Sequence, residues 1–139
     1  MDRYVRNFII MSVVYLAAAS VIGVGMMLSA GWQGLRFVHS HFMLLGWVSM
    51  MIYGVGYHIL PRFAGKLLKR PWVAEAQFWA ANVGLIGMVV FYTLLQGSAG
   101  NAAYEVLVGV SGGLQVLSSL LFFYNMYTVF FARAEQAAA

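Results

Sequence analysis

Four apolar runs, residues 5–30, 37–60, 73–95 and 106–131, carry no Asp, Glu, Lys or Arg in their central turns. At about 1.5 Å of rise per helical residue, each run covers the roughly 30 Å hydrocarbon core of a bilayer. A segment in lipid finds no water for its backbone, so its N–H and C=O groups must pair within the segment. The expected fold is therefore all-α. The joins are short: "GWQGLR" between the first two runs, "PRFAGKLLKRPW" between the second and third, and "QGSAGNAAYE" before the fourth. Each holds the Gly or Pro that stops a helix. No length remains for a soluble domain. The chain reads as one transmembrane domain over residues 1–139, an integral membrane four-helix bundle in up-down-up-down order.

Composition narrows the chemistry. The chain is 63% hydrophobic and 9% charged, with a mean hydropathy of +0.81, far from the make-up of a soluble domain. It has no Cys, which excludes disulfides, zinc–thiolate sites, iron–sulfur clusters and covalent haem attachment through Cys-x-x-Cys-His. Any metal must be held by His, Met or oxygen. The net charge of +4 comes from short clusters between apolar runs, so the expected partner is membrane lipid and not nucleic acid. Arg3, Arg6, Arg62, Lys66, Lys69, Arg70 and Arg133 fall on one side of the predicted bundle, and Arg36 on the other. That bias predicts a multi-pass protein of the inner (plasma) membrane of a bacterial or archaeal cell, with both termini cytoplasmic. The opening "MDRYVRNFII" leads into the first run with no Ala-x-Ala cleavage site after it and is read as part of a retained helix. Trp32 and Tyr104 are expected in the outer interfacial belt, and Tyr4, Tyr57, Trp72 and Tyr127 in the inner one.

Small and polar residues indicate where helices touch. Gly109 and Gly113, then Ser118 and Ser119, mark a face of the fourth run, Ala19 and Gly23 one of the first, and Gly84 and Gly87 one of the third. They are expected to pack inside the bundle, with a subunit interface as the other use of such a face. Gln77, Asn82, Gln115 and Asn125 are the uncharged polar residues expected to bond between helices. Asp2, Glu75, Glu105 and Glu135 all lie at run ends or in tails. An ion-coupled or proton-coupled carrier needs an ionisable group in mid-membrane, so that class is disfavoured.

All three histidines, His39, His41 and His58, lie in or beside the second run. At 100° per residue, His39 and His41 point about 200° apart at one level and cannot chelate one ion together. His58 lies roughly 25 Å further along the axis, toward the cytoplasmic end. With an unbroken second helix, no two of them can be axial ligands of one haem within a chain. A bis-His site needs a second chain, and a His/Met site draws on Met26 or Met27. The His39 face carries Met43, Gly46, Met50, Tyr53, Gly54 and Tyr57, a mixture suited to packing against protein. The His41 face carries Leu45, Val48, Ile52 and Ile59, which suits lipid, another subunit or the apolar edge of a macrocycle. An imidazole in an apolar wall costs free energy unless it is partnered, and a porphyrin iron is one such partner. For His58, at a helix end, hydrogen bonding to backbone or headgroup is the competing explanation.

The stretch "HSHFMLLGWVSMMIYGVGYHILPRFAGK" resembles the second transmembrane helix of the catalytic subunits of haem–copper oxidases and nitric oxide reductases, and most closely short stand-alone members of that superfamily. "GGLQVLSSLLFFYNMYTVFF" is similar, less specifically, to another helix of those subunits. The resemblance covers about a third of the chain. It implies that His39 or His41 ligates haem b: the distance back from "YHILPR" favours His39, and the spacing to "LLGW" favours His41. A full catalytic subunit has about a dozen helices and many more histidines than the three present, so the resemblance does not carry over the oxygen- or NO-reducing centre. The expectation is a b-type haem-binding protein, homo-oligomeric, serving electron transfer with a redox partner or sensing a diatomic gas such as NO or O2. Its candidate iron ligands are His41 and His39, with His58, Met26 and Met27 as further haem-contacting candidates. The alternative is a non-haem accessory or assembly subunit, or a copper-binding one, of a larger membrane complex.

Overall fold

A computed structural model describes residues 1–98 and 100–131, so Arg133 and Glu135 lie outside the described residues. The described chain forms four helices, α1 (Arg3–Leu28), α2 (Ala30–Phe63), α3 (Pro71–Gly97) and α4 (Ala102–Phe131), each long and apolar enough to cross a membrane. They start and stop close to the expected boundaries, with one exception. "GWQGLR" is not a loop: residues Ala30–Leu35 form a 3₁₀ turn that opens α2, and the break after α1 shrinks to Ser29. Ser29 is extended (φ −145°, ψ 128°), and its hydroxyl accepts the Gly31 N–H at 3.3 Å. Gly25 makes the sharp return possible, because the Trp32 indole occupies the space a side chain there would take.

The other stops are made as their residues dictate. Gly65 takes the left-handed conformation (φ 63°), and its N–H reaches Arg62 O at 3.1 Å while Lys66 N–H reaches Pro61 O at 2.9 Å. This pair of bonds caps the last carbonyls of α2. Pro71 is the first residue of α3, where its missing N–H costs nothing. Asn101 precedes α4, and its side-chain oxygen accepts the Ala103 N–H at 3.1 Å.

α2 is not uniform along its length. Residues Arg36–His41 are α-helical, Phe42–Ser49 are π-helical, and Met50–Phe63 are α-helical again. The wider π turns give the residues beyond Ser49 a different angular register from the one an ideal α-helix assigns. The Ser49 hydroxyl donates to Leu44 O at 2.9 Å, five residues back.

α1 packs on α2 and α3 on α4, with sparser contact between the pairs. Glycines set the closeness. A Cβ on Gly46 would lie 2.6 Å from the Tyr15 ring of α1, and one on Gly54 2.8 Å from Ile9. Between α3 and α4, a Cβ on Gly84 would meet Leu114 and Ser111 at 2.9 Å, and one on Gly87 would meet the Ser111 hydroxyl at 2.6 Å. Gly109 and Gly113 differ from expectation. Nothing lies within 4 Å of a Cβ at either, so the close packing of this pair is Gly84 and Gly87 against Ser111.

Across the pairs, the core is aromatic. Tyr57 lies with its ring centroid 5.5 Å from Tyr4, 6.1 Å from Phe8 and 5.3 Å from Phe122, and Phe8 lies 5.2 Å from Phe78. Tyr57 is 1% exposed and Tyr4 8%. Both were expected in an interfacial belt, and both rings are in the core instead; the Tyr57 hydroxyl is received inside the bundle by Gln77, and that of Tyr4 at 3.1 Å by the exposed Asp2. The outward faces carry Val21, Val24, Leu44, Ile52, Val83, Leu120 and many more large apolar side chains, a surface matched to lipid or protein and not to water.

Candidate functional site

Three helices meet at one fully buried polar cluster. The Tyr57 hydroxyl of α2 donates to Gln77 Oε1 of α3 and accepts from Asn125 Nδ2 of α4 at 3.0 Å. Ser118 of α4 adds a bond to Gln77 O at 3.4 Å. Gln77 and Asn125 have no exposed surface, and Gln77 Nε2 and Asn125 Oδ1 find no partner within hydrogen-bond reach. Two further polar residues bridge helices as expected: Asn82 Oδ1 accepts from Tyr15 OH at 3.0 Å, and Gln115 Nε2 donates to Ala81 O at 2.6 Å. The sequence flagged Gln77 and Asn125 as interhelical, but nothing in it joined them to Tyr57, whose "GVGYHILPR" setting reads as a helix end.

The histidines are partnered differently. His39 Nδ1 lies 2.9 Å from Ala19 O of α1, and its ring rests where Gly23 has no side chain, Cε1 being 2.9 Å from the position of a Cβ there. His41 Nδ1 lies 2.8 Å from Phe37 O, one turn back on its own helix. A carbonyl oxygen only accepts, so in each neutral ring Nδ1 carries the proton and Nε2 keeps its lone pair. That tautomer presents Nε2 to a metal while a backbone carbonyl fixes the ring. His41 also stacks on Phe37 with centroids 3.9 Å apart, and Phe37 stacks on Tyr92 of α3 at 3.7 Å. This three-ring stack holds the His41 imidazole against the bundle, while His39 and His41 both remain partly exposed.

His58 is the opposite case. Its Nδ1 lies 3.0 Å from the Arg62 guanidinium, which also donates to the His58 carbonyl. Arg only donates, so Nδ1 accepts and Nε2 holds the proton in the neutral ring. His58 is thus engaged by Arg62, one turn further along α2.

Of the thioether candidates, Met27 is 86% exposed, and Met26 lies at the same end of α1, its carbonyl accepting from Gln33 Nε2 at 2.7 Å. Among the described residues, no group of three or more His, Cys, Asp or Glu side chains converges as a metal cage would require. The angular argument that separated His39 from His41 stands on the α-helical segment Arg36–His41 that holds both. Of the His39 face, Gly46, Met50, Gly54 and Tyr57 are buried, whereas on the His41 face Val48 and Ile52 are exposed. No family model, curated protein or solved structure matches this chain.

Proposed function

We propose that this protein is a small b-type haem-binding protein of the inner membrane, homo-oligomeric, that transfers electrons or senses a diatomic gas. The observation that carries the reading is the shared tautomer of His39 and His41, each with Nδ1 held by a backbone carbonyl and Nε2 free. The donor set fits haem better than a bare copper ion. A porphyrin brings its equatorial nitrogens with it and asks the protein for only one or two axial ligands, whereas a copper site asks the chain for three or more donors. His41 is the leading ligand on the "LLGW" spacing and on the Phe37 stack that holds its ring; His39, sheltered against Gly23, is the second. Bound haem would supply a ferric/ferrous couple or an open coordination position, and the chain's part is to fix the imidazole and exclude water around it.

The up-down-up-down order with cytoplasmic termini belongs to the same proposal. Supporting it, Arg3 pairs with Glu75 at 3.0 Å, Lys66 Nζ reaches Phe130 O at 3.4 Å, and Arg70 donates to Tyr124 OH, so contacts gather the starts of α1 and α3 and the ends of α2 and α4. The Arg36 guanidinium, at the histidine end, donates to Gln33 Oε1 at 3.1 Å. Homo-oligomerisation is supported by the open face of Gly109, Gly112 and Gly113 and by the need for a second histidine on a bis-His iron.

The test is the visible spectrum of the protein purified after expression with ample haem, oxidised and reduced, with and without CO or NO. A Soret band lost in His41→Ala or His39→Ala but kept in His58→Ala supports the reading. Sharp bands unmoved by gas assign electron transfer, and a shifted Soret assigns gas binding. A colourless protein, or one whose haem survives all three substitutions, overturns it and leaves an accessory subunit with structural histidines.

A further inference from the structure

Beside the histidines, the surface between α1 and α3 holds a groove whose polarity changes once along its length. At the start of both helices, a cavity of about 280 Å³ is walled by Arg3, Arg6, Asn7 and Glu75 together with aromatic rings, among them Phe78 and Trp79. The same Phe78 and Trp79 form the near wall of a second cavity of about 480 Å³, lined beyond them by Met11, Val14, Ala18, Phe42 and Ile86. The polar atoms reaching this second cavity are already paired: Tyr15 OH with Asn82 Oδ1 at 3.0 Å, and Asn82 Nδ2 with Phe78 O at 2.8 Å. The walls follow from helical spacing. Residues 7, 11, 14 and 18 form one stripe of α1, and residues 75, 79, 82 and 86 one stripe of α3.

We infer that this groove binds one anionic phospholipid, with the phosphodiester at Arg6 and Asn7 and an acyl chain along Met11 to Ala18. The inference rests on the membrane placement of the helices and not on haem. Charge fits. The head cavity holds Arg3 and Arg6 against Glu75, and since Arg3 pairs with Glu75 at 3.0 Å, Arg6 is left with no ion-pair partner among the described residues. The nearby Asp2 is engaged by Tyr4 OH at 3.1 Å. One net positive charge remains in the cavity wall, the complement of one phosphodiester. Length fits as well. From Asn7 to Ala18 the groove runs about 16 Å at 1.5 Å per residue, close to half of a roughly 30 Å hydrocarbon core, which is the reach of a single leaflet's acyl chain. Trp79, 64% exposed, sits at the junction of the two cavities, where interfacial indoles settle.

Trp79 also reports occupancy. In full-length protein carrying Trp32→Phe, Trp47→Phe and Trp72→Phe, reconstituted into vesicles, Trp79 fluorescence is titrated with chain-brominated phosphatidylglycerol or phosphatidylcholine. The expected result is quenching by the anionic lipid at about fivefold lower mole fraction, the factor that one basic residue contributes at a membrane surface. Arg6→Gln removes that preference, and Glu75→Gln, which releases Arg3, enlarges it. Equal quenching by the two lipids, or a preference unchanged in Arg6→Gln, overturns the inference. So does a Trp79 that neither lipid quenches, which would mean that a second copy of the chain covers the groove. A colourless protein would defeat the haem reading and leave this result untouched.

Discussion

Tyr57 and His41 sit toward opposite ends of α2, and their polar atoms are used in different ways. The Tyr57 hydroxyl spends its one proton on one neighbouring helix and accepts from another, so it ties three helices together. His41 gives its Nδ1 proton to a carbonyl of its own helix and keeps a lone pair on Nε2. His39 does the same with a carbonyl of α1. One end of α2 is tied by side chains across three helices, with Gln77 Nε2 and Asn125 Oδ1 left unpaired inside. The other is held by backbone carbonyls and the Phe37–Tyr92 stack and keeps a lone pair on each Nε2. What separates the two ends is access: an imidazole lone pair on a partly exposed ring can meet a ligand, whereas the enclosed Tyr57 cluster meets only its neighbouring helices.

The largest effect that tests this contrast is expected at Tyr57. Tyr57→Ala removes a fully buried ring that touches Tyr4, Phe8 and Phe122, and should lower stability by about 3–5 kcal/mol in detergent unfolding experiments. Tyr57→Phe keeps the ring and leaves Gln77 and Asn125 without their shared partner, which should cost about 1 kcal/mol. A Tyr57→Ala cost below about 1 kcal/mol would erase the distinction between the two ends.

His39→Ala removes a single interhelical bond and should cost about 0.6 kcal/mol while strongly altering any haem spectrum. A loss of several kcal/mol would make the histidine end as structural as the tyrosine end. The smallest effect on the isolated chain is expected at Gly113, which faces open space: Gly113→Leu should shift its stability by no more than about 0.5 kcal/mol. The same substitution should lower the oligomer fraction in mild detergent, as seen by light scattering. If it destabilises the monomer instead, the face is packed internally.

How much of this was legible beforehand follows from what each signal can carry. Length and hydropathy report lipid crossing directly, so the four helices and the stops at Gly65 and Pro71 could be read from the residues. Which face of a helix points inward could not, because a helix apolar all round has no stripe to orient it. That is why Gly109 with Gly113 looked like Gly84 with Gly87, although only the second pair is packed. Tyr57 misled for a related reason: a tyrosine near a helix end suits both an interface and a buried polar cluster, and its partners lie 20 and 68 residues away. His39 and His41 were legible as candidates because imidazole is rare in apolar runs of this length. Their tautomers were not, since these depend on where the carbonyls of Ala19 and Phe37 come to lie.

The π-helical stretch Phe42–Ser49 makes the number of residues in α2 matter as much as their identity. An exchange of one apolar residue for another there keeps hydropathy and register alike. Deletion of a single codon, that of the exposed Leu44 for example, would also pass any hydropathy test, yet it would change the number of residues in the π turns and with it the angle of His39 and His41 relative to Met50, Gly54 and Tyr57. His39 could not then meet Ala19 while Tyr57 met Gln77. Between the two ends of this helix, inserted and deleted residues are therefore expected to be far less tolerated than substitutions.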